Sequence, residues 1–122
     1  MSKPWIGVDL DGTLATYEHG SFHPHKLGEP IPKMVERVKA WLDAGIEVKV
    51  FTARVSHDGT REGRWIAAQA ANKIRDWTEK HIGVRLNVTC SKDYDMLELW
   101  DDRAVQVRVN TGEAVGYSTR GF

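Results

Sequence analysis

The run Trp5-Ile6-Gly7-Val8-Asp9-Leu10-Asp11-Gly12-Thr13-Leu14 constrains this chain more than any other stretch. Four apolar or small residues in a row read as a short buried strand with both faces covered. Two carboxylates then stand two residues apart where the strand ends, and Gly12 lets the backbone turn sharply after them. In an open α/β sheet, the carboxyl end of a central strand is where ligands bind. An Asp there can attack phosphorus as a nucleophile, and a second Asp beside it can serve as acid and base.

The rest of the chain supplies the elements such a sheet needs. Pro32 suits the first turn of a helix. Met34, Val35, Val38, Trp41 and Leu42 then recur at helical spacing, and Gly45 stops the run. Ile46–Phe51 reads as a second strand, parallel to the first by the length of the crossover. After a polar loop at 55–60, residues 61–81 form a long helix whose buried stripe is Trp65 or Ile66, Ala70, Ile74, Trp77 and His81. Gly83 ends it. Val84–Thr89 reads as a third strand and Met96–Trp100 as a fourth. The link between these two is too short for a helical crossover, so their relation stays open. Val105, Val107 and Val109 alternate with polar residues in a further strand, and Ala114–Tyr117 returns as its hairpin partner after Asn110-Thr111-Gly112. Residues 12–30 lack periodicity and read as a turn and loop. His23-Pro24-His25 within them is read as solvated loop rather than a metal site.

Composition narrows the function classes. A chain of 122 residues, 41% apolar and 28% charged, suits one domain with a single core. Basic and acidic residues balance at 17 and 17, so bulk charge makes no case for nucleic acid or a membrane surface. The single cysteine, Cys90, cannot close an internal disulfide and fits a reducing compartment, so a cytoplasmic protein is expected. The N-terminal apolar run is too short for a signal segment, and no stretch reaches the ~20 apolar residues of a membrane span.

Polar residues end the strands at Asp9 and Asp11, at Thr52, at Lys92, and at Asp101 with Asp102. With parallel strands these converge on one edge of the sheet. Clustered carboxylates repel one another unless a cation sits among them, and Mg²⁺ is the natural oxygen-liganded choice. A phosphoryl group also needs its spreading charge matched. Lys92 offers a positive charge, and Thr52 offers a hydroxyl beside backbone amides such as that of Ala53. Arg54 and Arg103 are candidates for gripping the substrate, and His57 and Arg61 for the rim.

In order and context, Asp9-Leu10-Asp11-Gly12-Thr13, Thr52, Lys92 and Asp101-Asp102 resemble the four motifs of the haloacid dehalogenase (HAD) superfamily, across residues 5–109. The resemblance implies an α/β, Rossmann-like three-layer sandwich with a mainly parallel central sheet. It implies Asp9 as the nucleophile that becomes an aspartyl-phosphate, and Asp11 as the acid and base. Thr52, Ala53 and Lys92 would bind the phosphoryl group. Mg²⁺ would be held by Asp9, the Asp11 carbonyl and Asp102, with Asp101 binding a water on the metal. An Asp at position 11 suits the phosphatases and mutases of the superfamily. About 39 residues separate Asp11 from Phe51, and about 39 separate Thr52 from Lys92. A helix and strand fill most of each gap, so the chain resembles the small capless branch.

The expected function is Mg²⁺-dependent hydrolysis of a phosphomonoester, on a nucleotide, a nucleic-acid end or another large substrate. A phosphorylated substrate is the expected partner, no membrane is, and self-association stays open. Two other classes could use the same residues: a phospho-accepting receiver, and a catalytically idle phosphate-binding module.

Overall fold

A computed structural model describes residues 3–17 and 26–116. His23 and His25 lie outside the described residues, as does Tyr117. Strands β1 (Trp5–Asp9), β2 (Glu47–Phe51), β3 (Asn87–Thr89) and β4 (Met96–Trp100) form one parallel sheet in the order β3-β2-β1-β4. Helices α1 (Pro32–Asp43) and α2 (Arg61–Ile82) connect β1 to β2 and β2 to β3, with a short 3-10 turn at Ala53–Val55. This is the parallel α/β, Rossmann-like arrangement expected, with β1 between β2 and β4, but the described residues give one helical layer on the sheet where a three-layer sandwich was expected.

Alternation along the strands divides the sheet into two faces. Ile6 and Val8 of β1 and Val48 and Val50 of β2 enter one core with Met34, Val35 and Val38 of α1 and Ile74, Trp77 and Ile82 of α2. Both helices therefore pack on one face. Trp100 of β4 joins them, its ring 5.2 Å from that of Trp41. The opposite face holds Trp5, which is buried and donates from Nε1 to Asp93 Oδ1 at 2.9 Å. Lys49 Nζ lies 4.5 Å from its ring centroid. Among the described residues no helix covers this face. It is crossed instead by residues 90–95.

That crossing answers the question the sequence left open. β3 and β4 lie at opposite edges of the sheet. Their link must pass three inter-strand spacings, about 14 Å, while descending from the carboxyl end of the sheet to the amino end. The diagonal is roughly 19 Å, and seven peptide steps reach at most about 25 Å. The link has little slack for anything but a direct path.

Local chemistry explains where α1 and α2 stop. At the end of α1, Ile46 N donates to Trp41 O and Gly45 N to Leu42 O, with Gly45 at φ 81°. This is a Schellman closure, which needs the left-handed residue that glycine supplies. Thr60 caps α2 by accepting from Gly63 N at 3.0 Å.

Three sequence expectations shift. Ala67 and Thr78 are buried on α2, whereas Trp65 and Ile66 are exposed. The helix is about 33 Å long and the five-residue strands about 17 Å, so its first turns extend past the sheet. Strand three is shorter than 84–89 because Leu86 turns under α2, where its N–H donates to Thr78 Oγ1 at 3.1 Å. The valine strand at 105–109 does not join the sheet. It makes a small hairpin through Val107 and Ala114 and stays exposed.

Thr78 is fully buried and also donates to Arg75 O at 2.9 Å. Thr78→Val keeps the shape but strands the Leu86 N–H. Urea denaturation is expected to show a loss of about 1–3 kcal/mol. An unchanged midpoint would mean that water reaches that amide.

Candidate active site

The carboxyl ends of β1, β2 and β4 open onto a cavity of about 420 Å³. Asp9, Asp11, Thr52, Ala53, Arg54, Asp101, Asp102 and Arg103 line it, together with Tyr17 and Phe51. The structure thus brings together Asp9, Asp11, Thr52, Ala53, Arg54, Asp101, Asp102 and Arg103 of the residues read from the sequence, and leaves Lys92 and the rim candidates His57 and Arg61 off the cavity lining.

The turn after β1 aims the two carboxylates. Leu14 and Ala15 donate their N–H groups to Leu10 O at 3.0 and 2.8 Å, and Gly12 N donates to Ala15 O at 2.8 Å. Gly12 sits at φ +89°, and a Cβ there would lie 2.8 Å from Asp102 Oδ2. A side chain there would strain the backbone at that φ and push the Asp102 carboxylate aside, because the turn after β1 lies against the acidic pair after β4. Thr13 joins the two: its hydroxyl accepts from Asp102 N at 3.0 Å and lies 3.2 Å from Asp102 Oδ1 and 3.4 Å from Asp9 Oδ2. One hydroxyl proton serves one of those oxygens at a time.

Asp9, Asp101 and Asp102 each offer an oxygen, all within 4.8 Å of one another. Burial, a hydrogen bond shared with Asp102, and repulsion from Asp101, Asp102 and Asp11 push the Asp9 carboxyl up from 3.8 to about 8. A set of hard oxygen donors that strain against their own charge fits a divalent cation such as Mg²⁺.

The sign of the resulting pH effect follows from linkage. The unfolded chain releases the Asp9 proton near 3.8 and the folded chain holds it to about 8. Between these values the folded state binds more protons, so stability falls as pH rises. Melting temperature in a chelator is therefore expected to fall more steeply from pH 4 to 8 for the wild type than for Asp9→Asn. Mg²⁺ should remove most of that difference, and an unchanged difference with Mg²⁺ would argue against cation binding at this cluster.

Asp11 points to a different partner. Arg54 Nε donates to Asp11 Oδ2 at 2.7 Å and Nη2 to Asp11 Oδ1 at 2.8 Å. The Arg54 side chain is only 7% exposed, and Nη2 also lies 3.3 Å from Lys26 O. This two-pronged pair holds the Asp11 carboxylate in one orientation. Arg54 thus grips a site carboxylate, a contact its spacing in the sequence did not reveal.

Thr52 is buried, and its Oγ1 accepts from Arg54 N at 3.1 Å, capping the 3-10 turn. Its hydroxyl proton remains available for donation. Arg103 is exposed, with its N–H fixed to Asp101 Oδ1 at 2.8 Å. Lys92 is exposed on the crossing and does not line the cavity. It is the third residue past β3, at the start of the crossing to β4. His57 and Arg61 do not line it either. Thr13, Tyr17 and Phe51 carry no assignment from sequence. Thr13 belongs to the D-x-D-G-T run, a signal that could have marked it, but nothing local places the two aromatic residues.

No family model matches the chain, and no curated protein sequence does. Among solved structures, a conserved protein from Bacteroides thetaiotaomicron superposes with a TM-score of 0.53 at 18% identity, over 85% of this chain and 79% of its own. A protein from Mesorhizobium loti described as a HAD-like phosphatase gives a TM-score of 0.48 at 22% identity. That alignment covers 78% of this chain and 46% of the other. The likeness to the Bacteroides protein is one of fold. No described helix is long and apolar enough to cross a membrane.

Proposed function

We propose that this domain hydrolyses phosphomonoesters through Asp9, in the manner of the HAD superfamily its motifs resemble. The observation that carries the reading is the convergence of Asp9, Asp11, Thr52, Asp101 and Asp102 on one open cavity at the carboxyl end of the sheet.

In the first step an Asp9 oxygen attacks phosphorus and the bond from phosphorus to the ester oxygen breaks. Asp11 gives that oxygen a proton, so the alcohol leaves neutral. The phosphoryl group is then carried on Asp9 as an acyl phosphate. In the second step Asp11 takes a proton from water, whose oxygen attacks the same phosphorus. Inorganic phosphate leaves and the Asp9 carboxylate is restored. Thr52 Oγ1 and nearby backbone amides donate to the phosphoryl oxygens as charge spreads over them. The fork from Arg54 orients the Asp11 carboxyl for both proton transfers. Mg²⁺ held by Asp9, Asp101 and Asp102 would offset negative charge at the transferring group.

The test is release of inorganic phosphate from a generic aryl phosphate, with Mg²⁺ and with chelator. Turnover that requires Mg²⁺ is expected. Accumulation of stable phosphoprotein from a small phosphodonor would instead make the domain a receiver. Mg²⁺ binding with no hydrolysis across a broad phosphate panel would make it an idle binding module.

A further inference from the structure

The cavity has more wall than phosphoryl transfer uses. Three lining residues lack a part in that chemistry: Tyr17, Phe51 and Arg103. Tyr17 follows the turn after β1 and is 39% exposed. Phe51 is the last residue of β2, half-buried and in register with Asp9. Arg103 follows the acidic pair, its backbone pinned by Asp101 and its side chain exposed. The site therefore carries two aromatic side chains and one exposed guanidinium beside the carboxylates.

We propose that these three residues select the leaving group, and that the substrate is a nucleoside monophosphate. The proposal rests on the phosphatase reading. Aromatic rings and an arginine plane hold a planar heterocycle by stacking and by cation–π attraction, with little dependence on which base it is. A sugar ring offers the aromatic side chains only its C–H faces and offers the guanidinium no π-system, so it gains less from the same wall. Size agrees, because a cavity of about 420 Å³ falls in the range that encloses small organic ligands.

Charge separates a mononucleotide from a nucleic-acid end. Four carboxylates and two arginines line the cavity, and Arg54 is already paired with Asp11. A strand carrying one phosphate per nucleotide would run its charge along an acidic mouth, in a protein whose net charge is zero. A mononucleotide brings a single phosphate, which goes to the site built for it.

The experiment compares kcat/KM with Mg²⁺ for adenosine and cytidine monophosphates, glucose 6-phosphate, glycerol phosphate and a 3′-phosphorylated oligonucleotide. Nucleoside monophosphates are expected to exceed the sugar and glycerol phosphates by at least about tenfold, and to exceed the oligonucleotide. In Tyr17→Ala, the ratio of nucleotide to sugar-phosphate kcat/KM should fall by about tenfold, chiefly through KM. Tyr17→Phe should restore it, because a ring and not a hydroxyl is needed. Arg103→Ala should lower the same ratio. Preference for sugar phosphates or for the oligonucleotide overturns the proposal, as does a ratio unmoved by Tyr17→Ala. Calorimetric titration of Asp9→Asn with adenosine monophosphate reads the subsite without turnover. Binding there, in a protein whose wild type hydrolyses no ester, would defeat the phosphatase reading alone, and no binding would defeat the subsite.

Discussion

Asp9→Asn is expected to abolish phosphate release, by on the order of 10³-fold or more, while the domain stays folded. An amide nitrogen or oxygen in that position cannot form the acyl phosphate. The fold should tolerate the change well, because Asp9 is the strained member of the site. Burial and its neighbours push its carboxyl up to about 8, so a neutral isostere relieves repulsion from Asp101, Asp102 and Asp11. Melting temperature in a chelator should therefore hold or rise in the variant at pH 8, where the wild type carries the most opposed charge. Kinetics and thermal melts on one preparation check both halves. Wild-type turnover in Asp9→Asn would remove Asp9 from the chemistry altogether.

Arg54→Ala is expected to cut kcat by roughly 10²-fold, with a smaller change in KM. Arg54 is a positioning residue: it acts through Asp11, whose two carboxylate oxygens it holds at 2.7 and 2.8 Å. Without the fork Asp11 is free to rotate away from the leaving oxygen. The pair is more buried on the Arg54 side than on the Asp11 side, at 7% and 21% exposure. Its rupture should cost about 2 kcal/mol in denaturation, less than for a fully buried pair because Asp11 reaches solvent. Arg54→Lys should recover only part of kcat, since an ammonium makes no bidentate fork. Arg54→Ala in the Asp11→Asn background should add little to the loss, because Arg54 then has no carboxylate to position. Full additivity of the two losses would show that Arg54 acts on its own.

Both predictions concern residues within one turn of a strand end, and such residues are the ones a one-dimensional reading locates well. Asp9, Asp11, Thr52, Asp101 and Asp102 were legible because each stands immediately after an apolar run of strand length. A parallel sheet carries all such positions to the same edge. Lys92 was read by the same rule, and it stands three residues beyond β3, on the crossing to β4. Its place depends on where β4 lies. Because β4 pairs with the far side of β1, the chain must leave at once for the opposite corner.

The helices show a similar division. The stripe of α1 was legible because its 12 residues match the strands it covers. The stripe of α2 was legible only in its second half, because 22 residues outrun the sheet. Periodicity reports which residues share a helix face, and not how far the neighbouring layer extends. The valines at 105, 107 and 109 have strand periodicity, yet they close only on Ala114 in a small hairpin.

By itself, then, the sequence determined the parallel α/β character, the strand-end carboxylates and the turn at Gly12, which follow from local period, length and backbone sterics. Tertiary structure alone decided strand order, and with it the path of the crossing that carries Lys92. It also decided the fork between Arg54 and Asp11, 43 residues apart, and brought Tyr17 and Phe51 to the same cavity. Those contacts join segments whose spacing in sequence carries no record of their distance in space. They exist only because the sheet brings three strand ends to one edge.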